Sequence, residues 1–220
     1  MKQPPVIIVG AGGHACVVAD ALLACGRQVL GFLDAGAGGE PAVLMGLRVL
    51  GNDEALREQN PEAIELANGI GGAGDPALAV QGSLRRRVQE RLEAQGFRFT
   101  SVRHPASVVS PHASLSEGSQ VLAGAVVQPA ALIGRGAIVN TRAVVEHHCQ
   151  VGDFAHIAPG AVLCGDVVVG QDSHVGAGAT VRNGLHLGAR IVVGMGAVVT
   201  RPVDAGVVVG VPARAMGGRS

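Results

Sequence analysis

The sequence contains no tryptophan or tyrosine, and only four of its 220 residues are phenylalanine. Proteins that bind single-stranded nucleic acid stack the bases on aromatic side chains, so the composition disfavours that function. An excess of either charge is also absent, because 17 basic residues balance 17 acidic residues. A basic surface for nucleic acid or for an anionic membrane is therefore not expected.

Long apolar runs and metal-binding cysteine patterns are missing as well. No apolar run reaches the roughly 18 residues that a membrane-spanning helix needs, and the first residues lack the cleavage site of a secretory signal. The four cysteines show neither metal-binding nor redox spacing; they are Cys16, Cys25, Cys149 and Cys164. We therefore expect a cytoplasmic protein that holds no metal and binds neither nucleic acid nor membrane.

The second half of the chain has an aliphatic residue at every sixth position, and the residue two places earlier is usually small. A period of six fits neither an α-helix nor an ordinary sheet. It predicts a triangular prism of short parallel strands, a parallel β-helix, in which three hexapeptides form one coil of 18 residues and roughly five coils stack. The residues expected inside are Val109, Leu115, Val121, Val127, Ile133, Val139, Val145, Val151, Ile157, Leu163, Val169, Val175, Val181, Leu187, Val193 and Val199.

Four glycines repeat with the period of one coil. Gly134, Gly152, Gly170 and Gly188 each directly follow an inward aliphatic residue. Glycine tolerates positive φ at little cost, so we expect these residues to form tight corners of the prism.

The first hundred residues show a different pattern, in which short apolar strands alternate with helices. It predicts a small parallel, Rossmann-like α/β domain over residues 1–103, followed by an all-β domain, the β-helix with a C-terminal tail, over 104–220. In the second predicted helix, the apolar side consists of Leu78, Leu84, Val88 and Leu92, and arginines such as Arg85 surround it. The predicted strands are 6–9, 29–33, 63–66 and 97–102, and the predicted helices are 16–25 and 76–95.

A glycine-rich turn, Gly10-Ala11-Gly12-Gly13-His14, joins the first strand to the first helix. Glycines let a ligand approach the backbone, and the helix offers free N–H groups to a phosphate. Asp34, at the end of the second strand, is placed to accept hydrogen bonds from a ribose or a base. Because Ala15 replaces the third glycine of the dinucleotide fingerprint, a turn without a ligand is the alternative.

Four motifs together resemble the bacterial nucleotide-sugar N-acetyltransferases and sialic acid O-acetyltransferases, which are hexapeptide-repeat acyltransferases with a Rossmann-like N-terminal domain. The motifs are the glycine turn, His104-Pro105, the stretch from Asn140 to Cys149, and the segment 210–214, Gly-Val-Pro-Ala-Arg. The resemblance covers nearly the whole chain. It implies a left-handed β-helix, a homotrimer, acetyl-CoA between neighbouring helices, and a nucleotide-linked amino sugar on the N-terminal domain.

The resemblance also implies roles for individual residues. His147 matches the general base, since an imidazole can accept a proton at neutral pH. Many relatives carry an acidic residue next, where this chain has His148, so the partner that orients His147 is open; Asn140 and a neighbouring carboxylate are the candidates. The implied substrate contacts are Gly12, Gly13, His14, Asp34 and Gly71. The implied CoA contacts are His156, Gly165, Ala177 and Met195.

The coil period supports part of this site independently. His147 and Gly165 lie 18 residues apart, as do His156 and His174, so the members of each pair stack. The resemblance as a whole implies an acetyl-CoA-dependent N-acetyltransferase acting on a UDP- or GDP-linked 4-amino-4,6-dideoxyhexose in surface glycan synthesis. A sialic acid O-acetyltransferase and a non-catalytic nucleotide-sugar sensor are the alternatives.

A zinc carbonic anhydrase of the hexapeptide type would need three histidines around one metal ion. His112 and His148 have a suitable spacing of 36 residues, but the third ligand position is Asp153. This mismatch, together with the additional N-terminal domain, argues against a zinc enzyme.

Overall fold

The N-terminal region forms a five-stranded sheet with helices, as its alternating pattern predicts. A computed structural model describes residues 3–36, 42–72 and 83–215. The elements are β1 Val6–Val9, α1 Gly13–Ala24, β2 Val29–Leu33, β3 Val43–Leu44, β4 Leu47–Gly51, a 3-10 helix Asp53–Leu56, β5 Glu65–Asn68 and α2 Leu84–Glu93. The strand order is β3-β4-β2-β1-β5, and all pairs are parallel except the hairpin β3-β4.

Two expectations for this region need adjustment. The hairpin of β3 and β4 was not expected. The strand expected at 97–102 is reduced to a single β-bridge between Phe99 and Leu66, and the next strand begins at Val102. The first part of the helix expected at 76–95 lies outside the described residues. None of the helices in the described part of the chain is long and apolar enough to cross a membrane.

From Val102 to residue 215 the chain forms a left-handed parallel β-helix, as predicted. Its strands are two or three residues long because the chain turns a corner after each hexapeptide. They are β6 Val102–Arg103, β7 Val108–Val109, β8 Ser114–Leu115, β9 Gln120–Val121, β10 Val126–Val127, β11 Leu132–Ile133, β12 Ile138–Val139, β13 Val144–Val145, β14 Gln150–Val151, β15 His156–Ile157, β16 Val162–Leu163, β17 Val168–Val169, β18 His174–Val175, β19 Thr180–Val181, β20 His186–Leu187, β21 Val192–Val193, β22 Val198–Val199, β23 Val207–Val209 and β24 Arg214–Ala215.

The strands form three faces. The first face contains β6, β9, β12, β15, β18, β21, β23 and β24; the second contains β7, β10, β13, β16, β19 and β22; the third contains β8, β11, β14, β17 and β20. We name each corner by the two faces that it joins. The chain passes from a first-face strand through the first–second corner, then the second–third corner, then the third–first corner.

The sixteen aliphatic residues of the hexad lie inside the prism. Fourteen of them are buried in one continuous core, together with most of the small residues two places earlier. Val109 and Leu115 are half-buried because they belong to the first coil, which no complete coil precedes. The period of six therefore identifies the core correctly.

The expected role of the glycine column is wrong. Every sixth residue from 118 to 196 has a positive φ, between 56° and 68°, but Gly134, Gly152, Gly170 and Gly188 do not belong to this series. These glycines are needed because adjacent coils approach closely: a Cβ on Gly152 would lie 2.6 Å from the amide nitrogen of Gln171. Steric exclusion by the next coil, rather than backbone conformation, explains the 18-residue glycine period.

The two domains are joined by a buried arginine. Arg85 on α2 was expected beside the apolar side of its helix, but its side chain is buried and donates to the carbonyl oxygens of Gly136 and Phe154 on the third–first corner. Burial lowers the pKa of Arg85 to about 10, so the guanidinium keeps its charge at neutral pH. Leu84, expected on the apolar side, is half exposed instead.

Candidate active site

A glycine-lined cleft of about 460 Å³ lies at the carboxyl end of β1 and β5. Its walls are the two turns that follow these strands; the lining residues are Gly10, Gly12, Gly13, His14, Gly69, Ile70, Gly71 and Gly72. In parallel α/β sheets, ligands bind beyond the carboxyl ends of the strands. The cleft therefore occupies the position at which a nucleotide is expected.

Gly12 and Gly13 open this cleft toward the start of α1. A Cβ built on either residue would meet no atom within 4 Å. Gly12 is the N-cap of α1 and supplies no side chain that satisfies the first-turn N–H groups. Those donors and the positive end of the helix dipole are therefore available to a phosphate.

His14, Gly71 and Asp34 differ in how closely they approach the cleft. His14 Nε2 lies 2.8 Å from Oε1 of Gln120 on the first face, and a Cβ on Gly71 would lie 3.2 Å from the His14 Cβ. Asp34 is exposed at the end of β2, and its Oδ1 accepts from the Gly36 amide. Asp34 is not among the residues that line the cleft.

His147 and His148 lie exposed on the second–third corner, between β13 and β14. Their Nδ1 atoms are 3.0 Å apart, and the two rings meet edge to face. His147 lies over Gly165 of the next coil, where a Cβ would come within 2.5 Å of the His147 Cε1. Gly165 therefore provides the space that the imidazole occupies.

Asn140 lies on the first–second corner, one face away from His147. Its Nδ2 contacts Nε2 of His156 at 3.0 Å, whereas the ring partner of His147 is His148. Within one chain the structure therefore does not bring Asn140 to His147, because the width of the second face separates them.

His156 is a buried histidine on the first face, beside the glycine cleft. It is only 7% exposed, and a Cβ on Gly72 would lie 2.5 Å from its Nδ1. The ring of His174 packs against the His156 ring edge to face, with the two ring centroids 4.8 Å apart. Burial is the main reason that the pKa of His156 is well below 6.5, and nearby cationic groups, including His174 and Arg85, lower it further.

The residues assigned to CoA by resemblance are divided between two corners and a face. Ala177 and Met195 stack on the first–second corner, where the Gly196 amide donates to the Ala177 carbonyl at 2.9 Å. Met195 is 82% exposed and Ala177 is half-buried. Gly165 lies on the second–third corner and His156 on the first face, so one chain does not bring the four residues together.

Two residues that lie beside the candidate site residues were not identified from the sequence. Gln120 is buried and connects His14 to the backbone carbonyl of Asn68. Asp166 lies within 4.8 Å of both His147 and His148, measured between their potential ligand atoms. The coil period could have indicated Asp166, because it follows His148 by 18 residues.

Two family models match the chain. The PglD N-terminal domain matches residues 5–92, and the bacterial transferase hexapeptide (six repeats) matches residues 148–183. No curated protein matches significantly.

Several solved structures share both domains. The acetyltransferase domain of PglB from Neisseria gonorrhoeae is 34% identical, with a TM-score of 0.86 over 97% of this chain and 100% of that one, and is also solved with acetyl coenzyme A. PerB from Caulobacter crescentus, solved with CoA and GDP-perosamine, is 39% identical, with a TM-score of 0.85 over 97% of each chain. WeeI from Acinetobacter baumannii is 25% identical, with a TM-score of 0.77 over 96% of this chain and 99% of that one. The chain therefore belongs to the bacterial nucleotide-sugar N-acetyltransferases, the hexapeptide-repeat acyltransferases with a PglD N-terminal domain.

Proposed function

We propose that this enzyme transfers the acetyl group of acetyl-CoA to the amino group of a nucleotide-linked 4-amino-4,6-dideoxyhexose. The observation that carries the proposal is that a glycine cleft suited to a nucleotide and an exposed histidine suited to a base occur in one chain, in a fold whose relative PerB binds CoA and GDP-perosamine. We further propose that this reaction serves surface glycan synthesis and takes place in the cytoplasm.

His147 is the general base in this proposal. The sugar nitrogen attacks the thioester carbonyl and forms the C–N bond, while the nitrogen proton passes to His147 Nε2. Backbone N–H groups stabilise the oxyanion of the tetrahedral intermediate. When the C–S bond breaks, the proton passes from His147 to the departing CoA thiolate, so the histidine returns to its neutral form.

The active site is completed by a neighbouring subunit in this proposal. The glycine cleft borders the first face, where Gly72 contacts His156, whereas His147 of the same chain lies on the second–third corner. A nucleotide-sugar in the cleft would therefore meet the His147 of another chain. CoA between two chains would touch Gly165 of one, and Ala177 and Met195 of the other.

An apolar column on the second face supports a homotrimer. Its outward residues are valine in five strands and threonine in the sixth, and they stack directly through the parallel pairing: Val108, Val126, Val144, Val162, Thr180 and Val198. Continuous apolar surface of this kind favours association. We expect light scattering to give about three times the chain mass of 22.1 kDa, and a monomer at micromolar concentration would contradict the proposal.

The test of function is an assay of acetyl transfer to defined acceptors. The purified protein is incubated with acetyl-CoA and either GDP-perosamine or a UDP-4-amino-4,6-dideoxyhexose, and released thiol and product mass are measured. The expected result is an increase of 42 mass units on one nucleotide-sugar. If no amino sugar is acetylated but CMP-linked or free sialic acid is, the enzyme is an O-acetyltransferase. Binding of a nucleotide-sugar without thiol release would identify a sensor.

A further inference from the structure

The contact between His147 and His148 fixes how their protons are shared. With the two Nδ1 atoms 3.0 Å apart, one nitrogen must donate a proton and the other must accept it. A general base needs a free lone pair on the nitrogen that faces the substrate. If His147 donates from Nδ1, its Nε2 is unprotonated and His148 carries its own proton on Nε2.

Asp166 is a carboxylate of the next coil and lies beside this pair. It has the same left-handed backbone conformation as His148, and its amide donates to the His147 carbonyl at 3.0 Å. The potential ligand atoms of His147, His148 and Asp166 all lie within 4.8 Å of one another. The β-helix therefore holds a negative charge within 4.8 Å of both imidazoles, and the backbone contact between Asp166 and His147 helps to fix its position.

We propose that His148 and Asp166 together are the positioning pair for His147, an inference that rests on the proposed acetyltransferase function. Asp166 stabilises the proton on His148 Nε2, so His148 Nδ1 accepts from His147 Nδ1–H. His147 Nε2 is then the nitrogen that takes the proton of the substrate. As His147 becomes positive, the Asp166 carboxylate stabilises the charge.

The other titratable groups around this pair do not replace Asp166. Glu146 lies on the same turn but outside the group of atoms within 4.8 Å, and Cys164 is the adjacent thiol on the next coil. Burial raises the pKa of the Cys149 thiol to about 11, so it carries no charge at neutral pH. The preceding coil presents residues 128–130, Gln-Pro-Ala, none of which titrates.

A double-mutant cycle tests the pair. Asp166→Asn removes the charge, and asparagine tolerates the left-handed conformation of this position. His148→Asp places a carboxylate directly beside His147 and should make Asp166 dispensable. We expect Asp166→Asn to lower kcat by about 3-fold to 10-fold and to move the acidic limb of the kcat/KM profile to lower pH. In the His148→Asp background, the same change should alter kcat less than about 2-fold.

Glu146→Gln is the matched control, because it neutralises a carboxylate of the same turn outside the cluster. The assays contain EDTA, since two histidines and an aspartate at this distance could also trap a metal ion. Asp166→Asn with wild-type kcat and pH profile would overturn the inference. An equal loss in both backgrounds, or an equal shift in Glu146→Gln, would also overturn it.

A measurement without substrate separates this inference from the proposed function. ¹⁵N spectra of labelled histidine report the tautomer of each ring. The expected result is a His147 ring protonated on Nδ1 and free on Nε2, with a mixture of tautomers in Asp166→Asn. A wild-type His147 protonated on Nε2 refutes the positioning pair, whereas absence of acetyl transfer to every amino sugar refutes only the proposed function.

Discussion

At the scale of single residues, small side chains determine where the chemistry can take place. Gly165 leaves space that the His147 ring fills, and Gly12 and Gly13 leave space that no protein atom fills. The first kind of glycine accommodates the side chain that we propose as the base, and the second keeps open the cleft that we propose for the nucleotide-sugar. Substitutions at the two kinds of position should therefore have different effects.

Replacing the proposed base should reduce turnover and leave binding intact. We expect His147→Asn to lower kcat by about 10²- to 10⁴-fold, because the substrate proton then has no acceptor. Asparagine is polar and tolerated at this exposed position, so KM values and melting temperature should change little. Steady-state kinetics check the prediction, which fails if this variant keeps full kcat while His148→Asn abolishes it.

Filling the cleft should weaken binding of the nucleotide-sugar alone. A leucine at Gly12 would meet no protein atom within 4 Å of its Cβ, so the fold should be maintained while the side chain occupies the cleft. We expect KM for the nucleotide-sugar to rise by about 10-fold or more, since the backbone approach to the phosphates is blocked. Acetyl-CoA affinity, measured by calorimetry, should stay within about 2-fold. An equal loss of both affinities would contradict the assignment of the cleft.

At the scale of elements, each hexapeptide combines an inward aliphatic residue with one left-handed residue three places from it. Half of the left-handed positions are glycine, but His148, Phe154 and Asp166 adopt the same conformation. Phe154 keeps it because its ring is buried against the guanidinium groups of Arg86 and Arg135. The backbone of the prism thus imposes a positive φ at this position of each hexapeptide. Where the residue is not glycine, contacts with neighbouring side chains offset the unfavourable conformation.

The glycine column should tolerate no side chain. Gly152→Ala would place a Cβ 2.6 Å from the Gln171 amide nitrogen, so two coils would have to separate. We expect a loss of about 1–3 kcal/mol in the free energy of unfolding. Gly12→Ala is the control, because its Cβ meets nothing and its φ is −88°. Denaturant unfolding of the two variants compares them, and equal stability would contradict the steric explanation.

At the scale of the whole molecule, the two domains meet through buried polar groups. Arg85 enters the third–first corner, while His14, Gln120 and His156 connect the glycine cleft to the first face. Apolar contacts accompany them, since Leu122 and Ile138 of the β-helix join the core of the N-terminal domain. Direct polar and apolar contacts therefore hold the glycine cleft against the β-helix.

This buried boundary should make the fold sensitive to acid. Burial is the main cause that lowers the pKa of His14, His156 and His174 below 6.5. Below about pH 6.5 the unfolded chain binds protons on these imidazoles before the folded protein does, so stability falls as the pH falls. We expect the melting temperature to decrease between pH 7 and pH 5, and His156→Gln to reduce this slope. Thermal unfolding scans at fixed protein concentration check this prediction. If the melting temperature of His156→Gln depends on pH as steeply as that of the wild type, the role assigned to His156 is contradicted.

The sequence by itself determined the elements that depend on local periodicity. The hexad placed fourteen of sixteen core residues because inward positions repeat wherever coils stack, and the glycine turn indicated the cleft because free amides follow a buried strand. The predictions that the structure did not confirm concern contacts between residues that are far apart in the sequence. From the sequence alone, Arg85 is predicted to be a solvated residue of its helix, because the carbonyl groups that it contacts belong to the other domain.

Only the tertiary structure decided which residues meet at the site. Asn140 and His147 are seven residues apart, yet a whole prism face separates them, while Asp166 comes close to His147 from the next coil. Sequence separation measures distance along the coil, whereas proximity in a β-helix depends on the corner and on the axial stacking of coils. The coil period of 18 residues identified which residues stack on successive coils. The contacts between their side chains were fixed by packing between coils and between domains.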